Sequence, residues 1–186
     1  MKVKFLLSTL DQFPHLKDPK GNFLPEVAMA GRSNVGKSSL INHWLGQKVA
    51  KTSATPGKTK LLNFFLVEEK FLVVDLPGYG YAKAARFEVE GWSQAIDRYL
   101  NERKSLKLIL LLIDSRREIK EEDQCLIDWA KEHKIPLLLI FTKTDKLSQS
   151  EKMALVKKHP GAFFYTTFEQ QPRLGLQKRI QEILWG

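Results

Sequence analysis

A loop that joins a buried strand to a helix through two glycines, a lysine and a serine leaves a chain few folds to choose from. Residues 31–38 form such a loop: Gly31, Arg32, Ser33, Asn34, Val35, Gly36, Lys37 and Ser38. The apolar run "PEVAMAG" (25–31) reads as a strand that ends at the first glycine. In "SSLINHWLG" (38–46), Leu40, Ile41, Trp44 and Leu45 share one face of a helix, and Gly46 can end it. The spacing G-x-x-x-x-G-K-S in this setting is that of a phosphate cradle. Its glycines let the backbone curl so that successive N–H groups face phosphate oxygens. The helix N-terminus adds a favourable dipole. Lys37 can reach the β- and γ-phosphates, and the Ser38 hydroxyl can bind Mg²⁺.

The rest of the chain alternates short apolar runs with helical patterns. "LLNFFLV" (61–67) and "KFLVVDL" (70–76) read as strands of a hairpin, and "QKVAKTSATPGKTK" (47–60) as a loop. A glycine-bearing loop fills 77–89, and Val89, Trp92, Ile96 and Tyr99 then recur at helical spacing. "LKLILLLID" (106–114) is a buried strand, "EEDQCLIDWAKEH" (121–133) a helix with acids in its first turn, and "IPLLLIFTKTD" (135–145) a strand entering a loop. "SEKMALVKKH" (150–159), "AFFYTT" (162–167) and "LQKRIQEILW" (176–185) read as helix, strand and closing helix. This alternation predicts an α/β fold: a mostly parallel sheet with one antiparallel strand at an edge and helices on both faces. The whole chain, 1–186, is expected to be one domain, with residues 1–22 as an N-terminal extension.

In such sheets ligands bind beyond the carboxyl ends of the strands. Asp75 ends an apolar strand and is followed by Leu76, Pro77 and Gly78. An acid there can hold a water of Mg²⁺, and the Gly78 N–H can meet a γ-phosphate. The next strand ends run into Thr142, Lys143, Thr144 and Asp145. Guanine offers adjacent N1–H and N2–H₂ donors that one carboxylate can accept, whereas adenine has an acceptor at N1; Asp145 therefore favours guanine. The Lys143 stem can lie over the base. Tyr165, Thr166 and Thr167 offer N–H groups and hydroxyls for guanine O6. A threonine in the loop before the hairpin could meet Mg²⁺, with Thr52, Thr55 and Thr59 as alternatives.

Composition narrows the remaining classes. Hydrophobic residues make up 43% and charged residues 27%, which fits a soluble surface over a core. The longest apolar runs, 108–113 and 137–141, are too short to cross a bilayer. "MKVKFLLSTLDQFPHL" lacks a full apolar h-region and a cleavage site, so a cytoplasmic location with no membrane partner is expected. Cys125 is the sole cysteine, which excludes an intramolecular disulfide and a thiolate zinc cluster; its helical setting reads as core. The four histidines lack metal-ligand spacing. The net charge of +9 favours a polyanionic partner such as RNA, with basic groups at Arg98, Arg103, Lys104 and Lys107, at Arg116 and Arg117, at Lys152, Lys157 and Lys158, and at Arg173, Lys178 and Arg179.

Taken together, "GRSNVGKSSLIN", "TSATPGKTKLLNFF", "DLPGYGYA", "LLIDSR" and "TKTDK" resemble the bacterial EngB GTPases of the TrmE–Era–EngA–EngB–septin group, from about Pro25 to the final helix. The resemblance implies a Ras-like P-loop GTPase domain, Mg²⁺-dependent GTP binding and hydrolysis to GDP, and a role in large ribosomal subunit assembly, with rRNA as a partner. It also implies a part in normal cell division and septation, and a monomer is expected. By position, Gly57, Lys58, Thr59, Lys60 and Leu61 would line the nucleotide, with Thr59 joining Ser38 and Asp75 at Mg²⁺. Lys37, Asn34, Thr59 and Gly78 would serve catalysis. Thr142 stands where many GTPases have asparagine, and offers a shorter tether. Thr166 and Thr167 stand where the last motif often begins with serine. Tyr79 stands where many GTPases carry the glutamine that orients the attacking water. Slow intrinsic hydrolysis is therefore expected, with Asn34 as a candidate ligand of an activating K⁺. A second reading makes the chain a nucleotide-gated ribosome-binding module in which hydrolysis is incidental. A small-molecule kinase using the same cradle would favour ATP, against the specificity of Asp145.

Overall fold

A computed structural model describes residues 1–50, 61–79 and 86–186, with side chains outside 86–93. Among these residues seven strands form one sheet: β1 (Val3–Thr9), β2 (Glu26–Gly31), β3 (Leu62–Val67), β4 (Phe71–Asp75), β5 (Leu106–Asp114), β6 (Leu137–Thr142) and β7 (Phe163–Phe164). The helices are α1 (Lys37–Leu45), α2 (Arg86–Glu102), α3 (Glu121–Glu132), α4 (Gln149–Lys158) and α5 (Gln171–Trp185). The strand order is β1-β3-β4-β2-β5-β6-β7. β4, β2, β5, β6 and β7 are mutually parallel, and β3 runs against both β4 and β1.

Every residue of the central strand β2 is buried, as a strand covered on both faces requires. Its side chains alternate between two cores. Val27 and Met29 join Ile41, Trp44, Leu176 and Ile180, so α1 and α5 cover one face. Ala28 and Ala30 join Ala95, Tyr99 and Ala130, so α2 and α3 cover the other. Full burial of one such Ile or Leu side chain stabilises by roughly 1.5–3 kcal/mol. The β3–β4 turn puts Glu68 and Glu69 at φ 51° and 56°, in the left-handed region that a tight hairpin uses.

The N-terminal segment, expected only as an extension, forms β1 and pairs with β3. It extends the antiparallel edge by one strand. A shift of register between Phe5 and Leu7 breaks its alternation, so no strand pattern shows in the residues. β7 is shorter than expected, because Tyr165 and Thr166 already lie beyond it, at the entry to the next turn. Cys125 is exposed rather than core. The face of α3 that meets the sheet is carried by Leu126, Ile127, Trp129 and Ala130, and Cys125 lies beside it.

Arg103 is also not where its basic neighbours suggested. It is 6% exposed and forms a buried ion pair with Glu26. Tyr99 donates to the same carboxylate at 2.9 Å and Ser105 at 2.8 Å. Arg103 also donates to the Pro14 carbonyl at 2.6 Å, pinning the N-terminal segment to the end of α2. Among the described residues no helix is long and apolar enough to cross a membrane.

Candidate active site

The parallel strands bring their carboxyl ends to one rim. Register places Met29 opposite Asp75, Gly31 opposite Leu112, Asp114 opposite Thr142 and Phe141 opposite Phe164. Gly31, Asp75, Thr142 and the turn at 165–167 therefore meet at the edge where the sequence motifs placed them. Because β3 is antiparallel, its first residues lie at the same rim, with Asn63 opposite Asp75 and exposed Leu61 just before. Gly57, Lys58, Thr59 and Lys60 lie outside the described residues.

The phosphate loop is built around close approaches. A Cβ on Gly31 would lie 2.7 Å from the Leu112 carbonyl oxygen, and Gly31 has φ 148°, so no side chain fits there. Helix α1 follows a left-handed Gly36, with no side-chain cap and no acid in its first turn. By contrast, Ser148 caps α4 and the Asp123 carboxylate accepts from the Lys120 N–H before α3. The first N–H groups of α1 thus keep their donors for an anion. Val35 is buried, Ser38 is half-buried in the first turn, and Arg32 pairs with Glu122 at 3.2 Å.

Lys37 is 9% exposed, and its ammonium donates to the Gly31 carbonyl at 3.1 Å. Burial pushes its pKa down, and the charge of Asp75 opposes that shift. Asp75 is 2% exposed. Burial pushes its carboxyl up to about 6, against the charge of Lys37 and a hydrogen bond from Asn63. Among the described residues its buried Oδ1 finds no hydrogen-bond partner. A buried carboxylate oxygen beside an alcohol-bearing helix start is a fit donor set for a hard divalent cation. Ser38 and Asp75 would hold Mg²⁺, Asp75 through water; the assignment of Thr59 falls on residues not described.

The segment after Asp75 lies directly on the phosphate loop. Leu76 and Pro77 are buried, and the Leu76 N–H donates to the Met29 carbonyl at 3.0 Å. The Ser33 N–H donates to the Tyr79 carbonyl at 3.0 Å, and the Ser33 hydroxyl to the Gly78 carbonyl at 3.3 Å. A Cβ on Gly78 would lie 3.1 Å from Lys37 Nζ and from Ser33 N, tighter than ordinary contact, so a side chain here would push on the phosphate loop. Tyr79 takes a role that the sequence did not show. Its phenol donates to Asp123 Oδ1 on α3 at 2.5 Å, and burial, with Asp123, keeps it protonated. It is anchored to α3 instead of standing free as a glutamine would.

On the other side, the base motif grips the phosphate loop. The Thr142 hydroxyl donates to the Val35 carbonyl at 2.7 Å, so the shorter side chain still makes the tether. Lys143 Nζ donates to the Asn34 carbonyl at 2.8 Å. Asn34 is exposed at φ 62°. Asp145 Oδ1 accepts from the Thr166 hydroxyl at 3.1 Å, and Oδ2 lies 3.5 Å from the Lys146 ammonium. Thr144 and Thr166 are buried, while Thr167 is exposed. The Tyr165 hydroxyl and His43 Nδ1 are 2.7 Å apart, linking the base loop to α1; the residue spacing gave no sign of this contact.

An open helix start and a buried lysine beside the acid of D-x-x-G define a GTPase of the P-loop class. Residues 26–143 match the family described as 50S ribosome-binding GTPase. The chain is 47% identical over 159 residues to "Probable GTP-binding protein EngB" of Aquifex aeolicus, covering 85% of this chain and 84% of that one. The chain belongs to the EngB family of GTP-binding proteins. Among solved structures, one titled as a probable GTP-binding protein engB has a TM-score of 0.66 at 23% identity, covering 86% of this chain and 98% of that one. Another is Era with MgGDPNP and nucleotides 1506–1542 of 16S ribosomal RNA, with a TM-score of 0.66 at 22% identity, covering 88% of this chain and 57% of that one. These two likenesses concern the fold alone.

Proposed function

We propose that the protein is a GTP-driven switch that docks on the large ribosomal subunit or its precursor, and leaves as GTP is hydrolysed. The observation that carries the switch is Gly78, whose backbone lies against Lys37 Nζ and Ser33 N. A γ-phosphate reaching Lys37 must engage or displace this segment, so the conformation of 75–79 follows the nucleotide. The ribosomal partner is supported by the family description, 50S ribosome-binding GTPase, and by the net charge of +9. Within the same reading the chain acts as a single domain and as a monomer in the cytoplasm, and any effect on division or septation follows from subunit assembly.

In hydrolysis, Mg²⁺ would neutralise charge on the β- and γ-phosphate oxygens. Lys37 and the N–H groups of 36–38 would hold the phosphates, Gly78 can donate to the γ-phosphate, and Asp145 orients the base. Tyr79 is engaged with Asp123, so attacking water gains no amide to orient it. Slow intrinsic turnover follows. Asn34 projects from the loop in a left-handed conformation, where its side chain can ligate K⁺ and place a positive charge near the phosphates. An arginine in that role is worth ~10³–10⁵ in rate. Single-turnover hydrolysis is expected to run at least tenfold faster in KCl than in NaCl, and equal rates would remove Asn34 from catalysis.

Sedimentation with large-subunit precursors tests docking. Binding is expected with a non-hydrolysable GTP analogue and to be lost with GDP. It should also fall steeply between about 50 and 200 mM salt, as phosphate contacts do. Binding indifferent to both nucleotide and salt would refute the reading. Precursors that bind but leave single-turnover hydrolysis unchanged would favour the nucleotide-gated module.

A further inference from the structure

We propose that Asp114, with the adjacent Ser115, is a positioning residue of the nucleotide site: it seats Lys143 between the guanine and the phosphate loop. Asp114 ends β5 and is 7% exposed. Its Oδ2 lies 2.9 Å from Lys143 Nζ, the same ammonium that donates to the Asn34 carbonyl at 2.8 Å. Ser115 holds the other end of the residue, its hydroxyl donating to the Lys143 carbonyl at 3.2 Å. Ser115 also fixes the preceding residue, its N–H donating to the Thr142 carbonyl at 3.0 Å.

This double grip matters because Lys143 sits at φ 57°. A lysine keeps that left-handed conformation when its surroundings over-determine it. Its side chain is 34% exposed. Without a fixed anion a long, partly solvated chain samples many rotamers. Asp114 confines it to the one that meets Asn34. With Thr142 bound to Val35, the base loop then clasps the phosphate loop at two successive carbonyls before any ligand arrives. Arg116 keeps the anion in place. Its guanidinium donates to both carboxylate oxygens, at 2.9 and 2.7 Å. These bonds, aided by Lys143, hold the Asp114 carboxyl well below the usual carboxylate range despite burial.

The competing explanation is that Asp114 merely orders the turn after β5, since the Arg116 N–H also donates to its Oδ1 at 3.2 Å. A double-mutant cycle read by calorimetric titration with GDP separates the two. Asp114→Asn keeps the shape and removes the charge. It is expected to weaken GDP about tenfold, the scale of one lost charge-assisted contact. In a Lys143→Met background, where no ammonium remains to be seated, the same change should cost less than twofold. Asp114→Glu, which restores the anion, should recover part of the affinity. Equal losses in both backgrounds, or no loss in the native background, would overturn the proposal. If Asp114→Asn fails to fold, the cycle is run with Asp114→Glu, whose longer arm should cost affinity in the native background alone; an equal cost in both again overturns it.

Discussion

Lys37→Ala is expected to lower single-turnover GTP hydrolysis by about 10³-fold, with GDP affinity reduced far less. The ammonium is buried, and the carbonyl of Gly31 at 3.1 Å is the acceptor it holds. Among the described residues this leaves two of its three donors for phosphate oxygens. Charge on those oxygens shifts as the γ-phosphoryl group departs, so a fixed cation in a low-dielectric site stabilises the transition state more than the ground state. Removal of a single preorganised neutral donor costs ~10²–10³ in rate, and a charged donor should cost at least the upper end. Phosphate release in a single turnover, with protein in excess over GTP, checks the rate, and thermal melting checks the fold. A loss below tenfold would mean that Lys37 serves binding alone.

The same pair explains why the site opposes stability. Burial raises the Asp75 carboxyl from 3.8 to about 6. An acid shifted upward loses stability as pH rises through that window, the reverse of an ion-paired surface aspartate. Lys37 is shifted in the sense that also disfavours its charged form. The fold therefore holds an acid and a base that are each better solvated in the unfolded chain, at the position proposed for the phosphates and the divalent cation.

Much of this was legible in the residues, for a physical reason. Burial on both faces gives β2, β5 and β6 continuous apolar runs, and the strand-end motifs carry residue types that the chemistry of phosphate and guanine demands. What escaped was long-range. β1 could not be read because its register shift destroys the alternation. Arg103 looked like surface charge, and its burial depends on Glu26, 77 positions away. Tyr79 could be seen to lack an amide, but its bond to Asp123 exists only once α3 packs beside the phosphate loop. Asp114 and Ser115 belong to the same class. Their partner Lys143 lies nearly 30 positions on, and parallel pairing of β5 with β6 is what brings them together.

Asp145→Asn is expected to weaken GDP by ~10²–10³-fold, the loss from replacing two charge-assisted hydrogen bonds at about 1.5–3 kcal/mol each by weaker neutral contacts. The carboxylate is already aimed. Thr166 holds Oδ1 at 3.1 Å, and the side chain is 22% exposed, so one side remains open to a base edge. An asparagine there presents one acceptor and one donor, and its NH₂ meets a donor of guanine. A site built to accept from a base rejects the mismatched edge more strongly than an apolar pocket rejects a misfit in size. The chemistry also predicts a gain. Xanthine has a carbonyl where guanine has its 2-amino group, so the asparagine NH₂ finds an acceptor. Titration of the variant with GDP, xanthosine diphosphate and ADP should therefore give the order XDP, then GDP, then ADP. Retention of GDP affinity within threefold would place guanine recognition elsewhere, on the backbone of 165–167. Because Thr166 can still donate to the asparagine carbonyl oxygen, the loop should keep its shape, and the change in order reports base recognition rather than loss of fold.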